Sequence, residues 1–171
     1  MDEKGKCTGS DIMIWSDYLF LAKGKDIIFP YDKNNVQPNS YELTLDDTIQ
    51  IPTETSWKKQ KLPYEIPVGC FILASTKESV KIPQCACAKV LGKSSIARLG
   101  MAVEFAGMID TGFEGQITLE IMNFVHPITL TPGMKIAQLM IDDAHPVMKM
   151  YGECDNHYQN QKGATVSWLE K

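Results

Sequence analysis

No apolar run in the 171 residues approaches the length of a membrane-crossing helix, which excludes a helical span. The opening stretch, Met1 to Cys7, is charged where a secretory leader would be apolar, so the expected location is the cytoplasm. A basic excess is missing too. The formal charge of −4 leaves no footprint for nucleic acid or an anionic membrane, and any bound anion must be held by a local pocket. The five cysteines, Cys7, Cys70, Cys85, Cys87 and Cys154, are odd in number and lack a C-x-x-C pair beside histidines. That argues against a zinc site and a disulfide framework and predicts reduced thiols. Cys85 and Cys87 would share a strand face, which permits a metal in principle, but two isolated sulfurs read as half-buried strand residues. Nothing repeats at a solenoid or propeller period.

What is present is a composition of 44% apolar and 22% charged residues, that of one globular domain spanning 1–171. Ser10 and Asp11 have the short oxygen side chains that accept from orphan helix amides. Ile12, Trp15 and Leu19 follow at helical spacing, predicting one short N-terminal helix. Strand signals dominate thereafter: Tyr41 to Ile51, Cys70 to Ser75, Cys85 to Val90, Gln116 to Phe124 and Lys135 to Ile141 are rich in β-branched or aromatic residues. Turns at Ile66-Pro67-Val68-Gly69 and Thr131-Pro132-Gly133 separate them. The pattern predicts a mainly β chain forming a compact, distorted jelly roll or barrel. The polar stretch 150–171, with Gly152 and Gly163, reads as an arm or flap.

Two segments concentrate the chemistry. In Gly92-Lys93-Ser94-Ser95-Ile96-Ala97-Arg98 a cation, two hydroxyls and a second cation follow a glycine after a strand. Lys93 offers a point charge, the serines offer donors, and Arg98 a planar fork for an oxyanion, while the alternative is an ordinary surface turn. In the second segment, Ala106 to Gly115, Asp110 stands among glycines that permit close backbone approach to a ligand. On the strand that follows, Glu120 interrupts Ile117, Leu119, Ile121 and Met122. Either it is a buried acid whose pKa desolvation raises into a range useful for proton transfer, or it lies on the solvent face of a half-exposed strand.

The segments VLGKSSIARLG, AGMIDTGFEGQITLEIMNF and PGMKIAQLMI resemble the consecutive core motifs of the dCTP deaminase family and, more distantly, of the trimeric dUTPases. VQPNSYELTL is similar to the first motif, SDIMIW to the opening helix, and HYQNQKG to the deaminase arm. The likeness runs from about Ser10 to Ser167 in order. It implies a dUTPase-like β fold and a homotrimer whose sites are completed by neighbouring subunits. Glu120 stands where a dUTPase carries an aliphatic residue and a deaminase the glutamate that moves protons. The tail also lacks the glycine-rich, arginine-containing closing motif of dUTPases.

The resemblance further implies zinc-independent deamination of dCTP at C4, since the H-x-E and P-C-x-x-C constellation of zinc deaminases is missing and His126, His145 and His157 stand in no such arrangement. Glu120 takes the proton-transfer role, oriented by Arg98 and Ser94, while Ala106 reads the base and Asp110 meets the sugar or prepares water for attack on phosphorus. Ile96, Ala97, Thr118 and Leu119 belong to the same binding segments. Lys93, Ser94, Ser95 and Gln138 hold the triphosphate with Mg²⁺ spreading its charge, and Tyr151, His157 and Gln161 close over it from the arm. Gly107-Met108 before Ile109-Asp110 resembles the small-then-large pair of members that convert dCTP directly to dUMP and pyrophosphate. Some positions depart from the family: Lys93 for arginine, His157 for lysine, Phe105 for threonine, Glu42 for aspartate, and one residue fewer between Leu99 and Gly107. Two alternatives stay open, a dUTPase acting mainly through Asp110 and a catalytically silent pyrimidine-nucleotide-binding protein.

Overall fold

The computed structural model describes residues 13–103, 105, 107–154 and 157–170. In chain order it contains α1 (Asp17–Lys23), β1 (Ile28–Phe29), β2 (Val36–Gln37), β3 (Ser40–Pro52), β4 (Trp57–Lys61), β5 (Tyr64–Ile66) and β6 (Phe71–Lys81). There follow β7 (Ala86–Gly92), α2 (Ser94–Ala97), β8 (Met101–Val103), β9 (Met108–Ile109), β10 (Glu114–Asn123), β11 (Ile128–Leu130) and β12 (Lys135–Asp143). Ten strands form one antiparallel sheet whose main path runs β8-β10-β6-β3-β12-β7-β9, with β1, β2 and β4 attached beside it. The sheet curls into a half-barrel. A small second sheet joins β5 to β11. The mainly β class and the five long strands agree with the sequence reading. No helix among the described residues is long and apolar enough to cross a membrane.

Side-chain alternation fixes which face each strand buries. Along β10, Ile117, Leu119, Ile121 and Asn123 are buried while Gln116, Thr118, Glu120 and Met122 are half-buried. Register carries this order to β6, where Leu73 faces Glu120 and Ile72 faces Ile121. The inward faces of β3, β10 and β12 meet in one core that includes Phe20, Tyr41, Leu43, Leu119 and Leu139, all at 0% exposure. Burying side chains of this size contributes about 1.5–3 kcal/mol each. The predicted turns close with Gly69 at φ +76° and Gly133 at φ +74°, backbone that a Cβ strongly disfavours.

The N-terminal helix starts later than its periodicity suggests. Ser10 and Asp11 lie outside the described residues, and α1 begins at Asp17. Trp15, at helical spacing from Leu19, sits instead on extended backbone: its N–H donates to the Ile141 carbonyl at 2.8 Å and its indole to Asp143 at 3.0 Å. β3 pairs with β12 only as far as Leu139. The edge beyond is open, and the chain before α1 satisfies it.

Around Thr44 the ladders of β3 are irregular: the register with β12 shifts between Leu43 and Thr44, and the register with β6 between Leu45 and Ile49. The Thr44 N–H is met by a side chain instead. The buried Glu78 carboxylate accepts from that N–H at 2.9 Å and from the Thr44 hydroxyl at 2.8 Å. Burial pushes the Glu78 carboxyl above the ordinary glutamate value of 4.5, a net effect that the Thr44 bonds oppose without reversing. A raised carboxyl pKa stabilises the fold below pH 4.5, and that contribution is lost as pH climbs through the folded value. Glu78→Gln removes the charge while its amide oxygen still accepts from the Thr44 N–H and its amide nitrogen donates to the Thr44 hydroxyl. In urea unfolding the variant should therefore gain on the wild type between pH 4 and pH 7, and parallel profiles would show that Glu78 carries no such penalty.

Candidate active site

A cavity of about 420 Å³ lies between the half-buried face of β10 and the returning C-terminal segment. Its floor is Thr118 and Glu120 with Leu73 beside them. Glu120 therefore does not displace an apolar core side chain: strict alternation turns it away from Ile117, Leu119 and Ile121 and into the cavity. Of the two sequence readings, the half-exposed face is the correct one, but a roof covers that face. An aromatic end is formed by Trp57 and Phe71 in edge contact at 6.2 Å, with the exposed Phe105 against Phe71 at 6.3 Å.

Asp110 enters the cavity from a turn that β9 feeds. The Phe113 N–H closes this turn on the Asp110 carbonyl at 3.1 Å, and Gly112 at φ +85° makes the bend. The turn is bolted down by Thr111, whose hydroxyl donates to the Ala86 carbonyl at 2.7 Å, and by paired backbone bonds between Ile82 and the Gly112–Phe113 stretch. Tyr151 packs edge-on against Phe113 at 5.5 Å, and its N–H donates to the Thr111 carbonyl at 2.8 Å. Burial and then the nearby Asp110 charge push the Tyr151 hydroxyl up, so it stays protonated at neutral pH.

The arm runs back over the cavity of its own chain. Tyr158, Gln161, Thr165 and Ser167 line the roof. Gln161 forms a parallel bridge with Gly115, its amide nitrogen donates to the Gln116 carbonyl at 2.8 Å, and the Thr165 N–H donates to the Thr118 hydroxyl at 3.1 Å. Gln161 is thus in the cavity wall with its donor already engaged. The arm's two ends meet where the His157 ring stacks on Trp168 at 4.2 Å and the Trp168 N–H donates to the Tyr158 hydroxyl at 3.3 Å.

Of the residues singled out from sequence, Asp110, Thr118, Glu120, Tyr151 and Gln161 converge on this cavity. Leu119 is buried in the core beneath it. Gln138 is half-buried on β12 opposite Glu42, and His157 is exposed on the arm. Ala106 lies outside the described residues. Lys93, Ser94, Ser95, Ile96, Ala97 and Arg98 form α2 and its flanks, and none of them lines the cavity. Ser94, Ser95 and Arg98 are exposed, whereas Ile96 is buried. The Lys93 ammonium is paired with Glu42, which also binds Lys135 at 2.6 Å. Burial pushes the Glu42 carboxyl up, but the bonds from Lys135 and Lys93 outweigh it and hold it below the ordinary range. Trp57, Phe71, Tyr158, Thr165 and Ser167 were not read from sequence as cavity residues. Only Tyr158 carried a signal, through its place in the HYQNQKG stretch.

A curled antiparallel sheet with two acids in a cavity roofed by the chain's own tail defines a class of small-ligand-binding β proteins. A solved structure sharing this fold, at TM-score 0.69 and 21% identity, is the 2'-deoxycytidine 5'-triphosphate deaminase from Agrobacterium tumefaciens. The match covers 80% of this chain and half of that one. The dCTP deaminase-like family model matches residues 19–144, and the chain belongs to that family. Among curated relatives, "dCTP deaminase, dUMP-forming" from Nanoarchaeum equitans (strain Kin4-M) is 48% identical, with 88% of this chain and 93% of the relative covered. The protein of the same name from Hydrogenobaculum sp. (strain Y04AAS1) is 38% identical, over 91% of this chain and 95% of the relative.

A Cβ on Gly112 would lie 2.6 Å from the Met150 Cβ and 3.2 Å from the Tyr151 nitrogen, whereas one on Gly133 would meet nothing within 4 Å. Both glycines have positive φ, so alanine at either costs about 1–3 kcal/mol of strain. Gly112→Ala should cost more than Gly133→Ala in urea unfolding, because it also displaces the arm. Equal losses would mean that the arm does not rest on the Asp110 turn.

Proposed function

We propose that the chain deaminates dCTP without zinc and carries the product on to dUMP and pyrophosphate. The observation that carries this reading is the presence of Glu120 and Asp110 in one roofed cavity, the first with proton-transfer chemistry and the second at the Tyr151 end. The names borne by the relatives support it. Water attacks C4 of cytosine, a C–O bond forms, and Glu120 takes one water proton and delivers it to N3. Glu120 then takes the remaining proton from the C4 hydroxyl of the tetrahedral intermediate and passes it to the amine; the C4–N bond breaks, C4=O forms, and ammonia leaves. Asp110, next to Tyr151, contacts the deoxyribose and orients a second water for attack on the α-phosphorus, releasing pyrophosphate. Both steps need an ionised carboxylate at the outset. The triphosphate enters as its Mg²⁺ complex, and the ion, carried mainly by phosphate oxygens, spreads their charge.

The cationic half of the site comes from another copy. The exposed Ser94, Ser95 and Arg98 lie outside their own chain's cavity, and no ion pair engages Arg98 among the described residues. Exposed Leu99, Phe124 and Val125 cluster around Gly100, whose carbonyl accepts from Phe124 at 2.8 Å. An apolar surface beside unpartnered donors suits packing against a neighbour, and a cyclic homotrimer lets each subunit give and receive once. In it Arg98 and Ser94 meet the Glu120 carboxylate and its water, and Ser95 meets the phosphates. Lys93, held by Glu42, acts on the phosphates as a charge rather than as a fork.

Purified protein given dCTP with Mg²⁺ should release ammonia, dUMP and pyrophosphate. Pyrophosphate from dUTP with no ammonia from dCTP would make the chain a dUTPase acting through Asp110. Nucleotide-dependent thermal stabilisation without any product would make it a binding protein. Glu120→Gln should retain nucleotide binding and lose ammonia release by at least about 10².

A further inference from the structure

Gln116 sits on β10 one step from the cavity and does not line it, yet every polar atom of its side chain is engaged. Its amide nitrogen donates to the Asp46 carboxylate at 3.0 Å and to the Thr76 carbonyl at 2.8 Å, and its amide oxygen accepts from the Gly163 N–H at 2.6 Å. Three acceptors, counting the Lys77 carbonyl at 3.5 Å, surround one end and a backbone donor meets the other, so only one orientation of the amide satisfies the site. The side chain thereby joins β3, β6 and the arm. Its backbone joins too: the Gln116 N–H donates to the Gln161 carbonyl at 3.1 Å, and its carbonyl accepts from the Gln161 side chain at 2.8 Å. The preceding residue must be small for this contact to form. A Cβ on Gly115 would stand 3.0 Å from the Gln161 nitrogen and 3.1 Å from its oxygen, and φ there is +146°.

We infer that Gln116 is a positioning residue, a latch that seats the arm over the cavity. It touches no substrate atom. It acts through the arm that carries the roof residues Tyr158, Gln161, Thr165 and Ser167, whose backbone it anchors at Gln161 and Gly163, on either side of Lys162. The effect on turnover rests on the cavity being the nucleotide site, whereas the seating of the arm is independent of that reading.

The Gly163 N–H that Gln116 binds belongs to the Lys162–Gly163 peptide, so trypsin, which cuts after lysine, reports directly on the latch. Gln116→Leu removes all four side-chain contacts. In the full-length protein without nucleotide, the cut after Lys162 should accelerate at least about tenfold, since breaking several hydrogen bonds shifts a local opening equilibrium by that much or more. Asp46→Ala, at a half-exposed position outside the cavity, leaves Gln116 its Thr76 contact and should accelerate the cut by a smaller factor. With dCTP, KM should rise about tenfold in Gln116→Leu while kcat changes less, because a poorly seated roof weakens ground-state and transition-state binding alike. Cleavage after Lys162 at the wild-type rate in both variants would overturn the latch, whereas faster cleavage with an unchanged KM would leave the seating standing and overturn the positioning role in turnover. Should Gln116→Leu fail to fold, Asp46→Ala decides by the same two measurements. If the wild type turns over neither dCTP nor dUTP, the proposed activity fails and the trypsin comparison still tests the seating of the arm.

Discussion

Side-chain alternation along β10 is the constraint on which the rest of the molecule depends. One strand supplies Ile117, Leu119 and Ile121 to the core and Gln116, Thr118 and Glu120 to the opposite face. A register slip of one residue would exchange the two sets, burying a carboxylate and exposing three large apolar side chains. Core packing and site chemistry therefore specify the same register. The core holds Glu120 in place, and the arm can recognise the strand because its polar face is always the outer one.

Charge is handled differently at two neighbouring points of β3. Glu42 is almost fully buried but lies between Lys93 and Lys135, so its ionised form is favoured and the cations are drawn to the base of α2. Glu78 forms no ion pair among the described residues and is held by Thr44 and its own backbone N–H, at a raised pKa. The first arrangement fixes a charged helix entrance. The second patches an irregular stretch of sheet with a side-chain acceptor where ladder bonding fails.

Much of the fold was legible because long strands with β-branched residues and glycine turns leave strong local signals. The short charged strand β4, Trp57-Lys58-Lys59-Gln60-Lys61, carries no strand signal because an edge strand needs little apolar content and lysines guard its open side. Its Trp57 was lost with it, although it lines the cavity. Trp15 misled for the opposite reason. Its spacing from Leu19 fits a helix, but the open edge of β12 captured its backbone. In the site, Asp110, Glu120, Tyr151 and Gln161 were found by motif and do converge, while Lys93 to Arg98 do not join them within one chain. Proximity across a curled sheet depends on its closure, which no local pattern encodes. The arm's path was hidden as well, since amide and backbone hydrogen bonds such as those of Gln116 leave no periodic trace.

The roof of the cavity is tied to its floor by the same polypeptide, and this separates two dependences on protein concentration. Closure of the arm is an intramolecular equilibrium, so dilution leaves it untouched. The donors on α2 lie outside that closed unit, and in the proposed homotrimer they would reach a cavity only through association. On that proposal a dilute sample retains a covered pocket bearing Glu120 and Asp110 and forfeits the donors a neighbour would add. The arm belongs to the fold of one chain, whereas a shared site would depend on concentration.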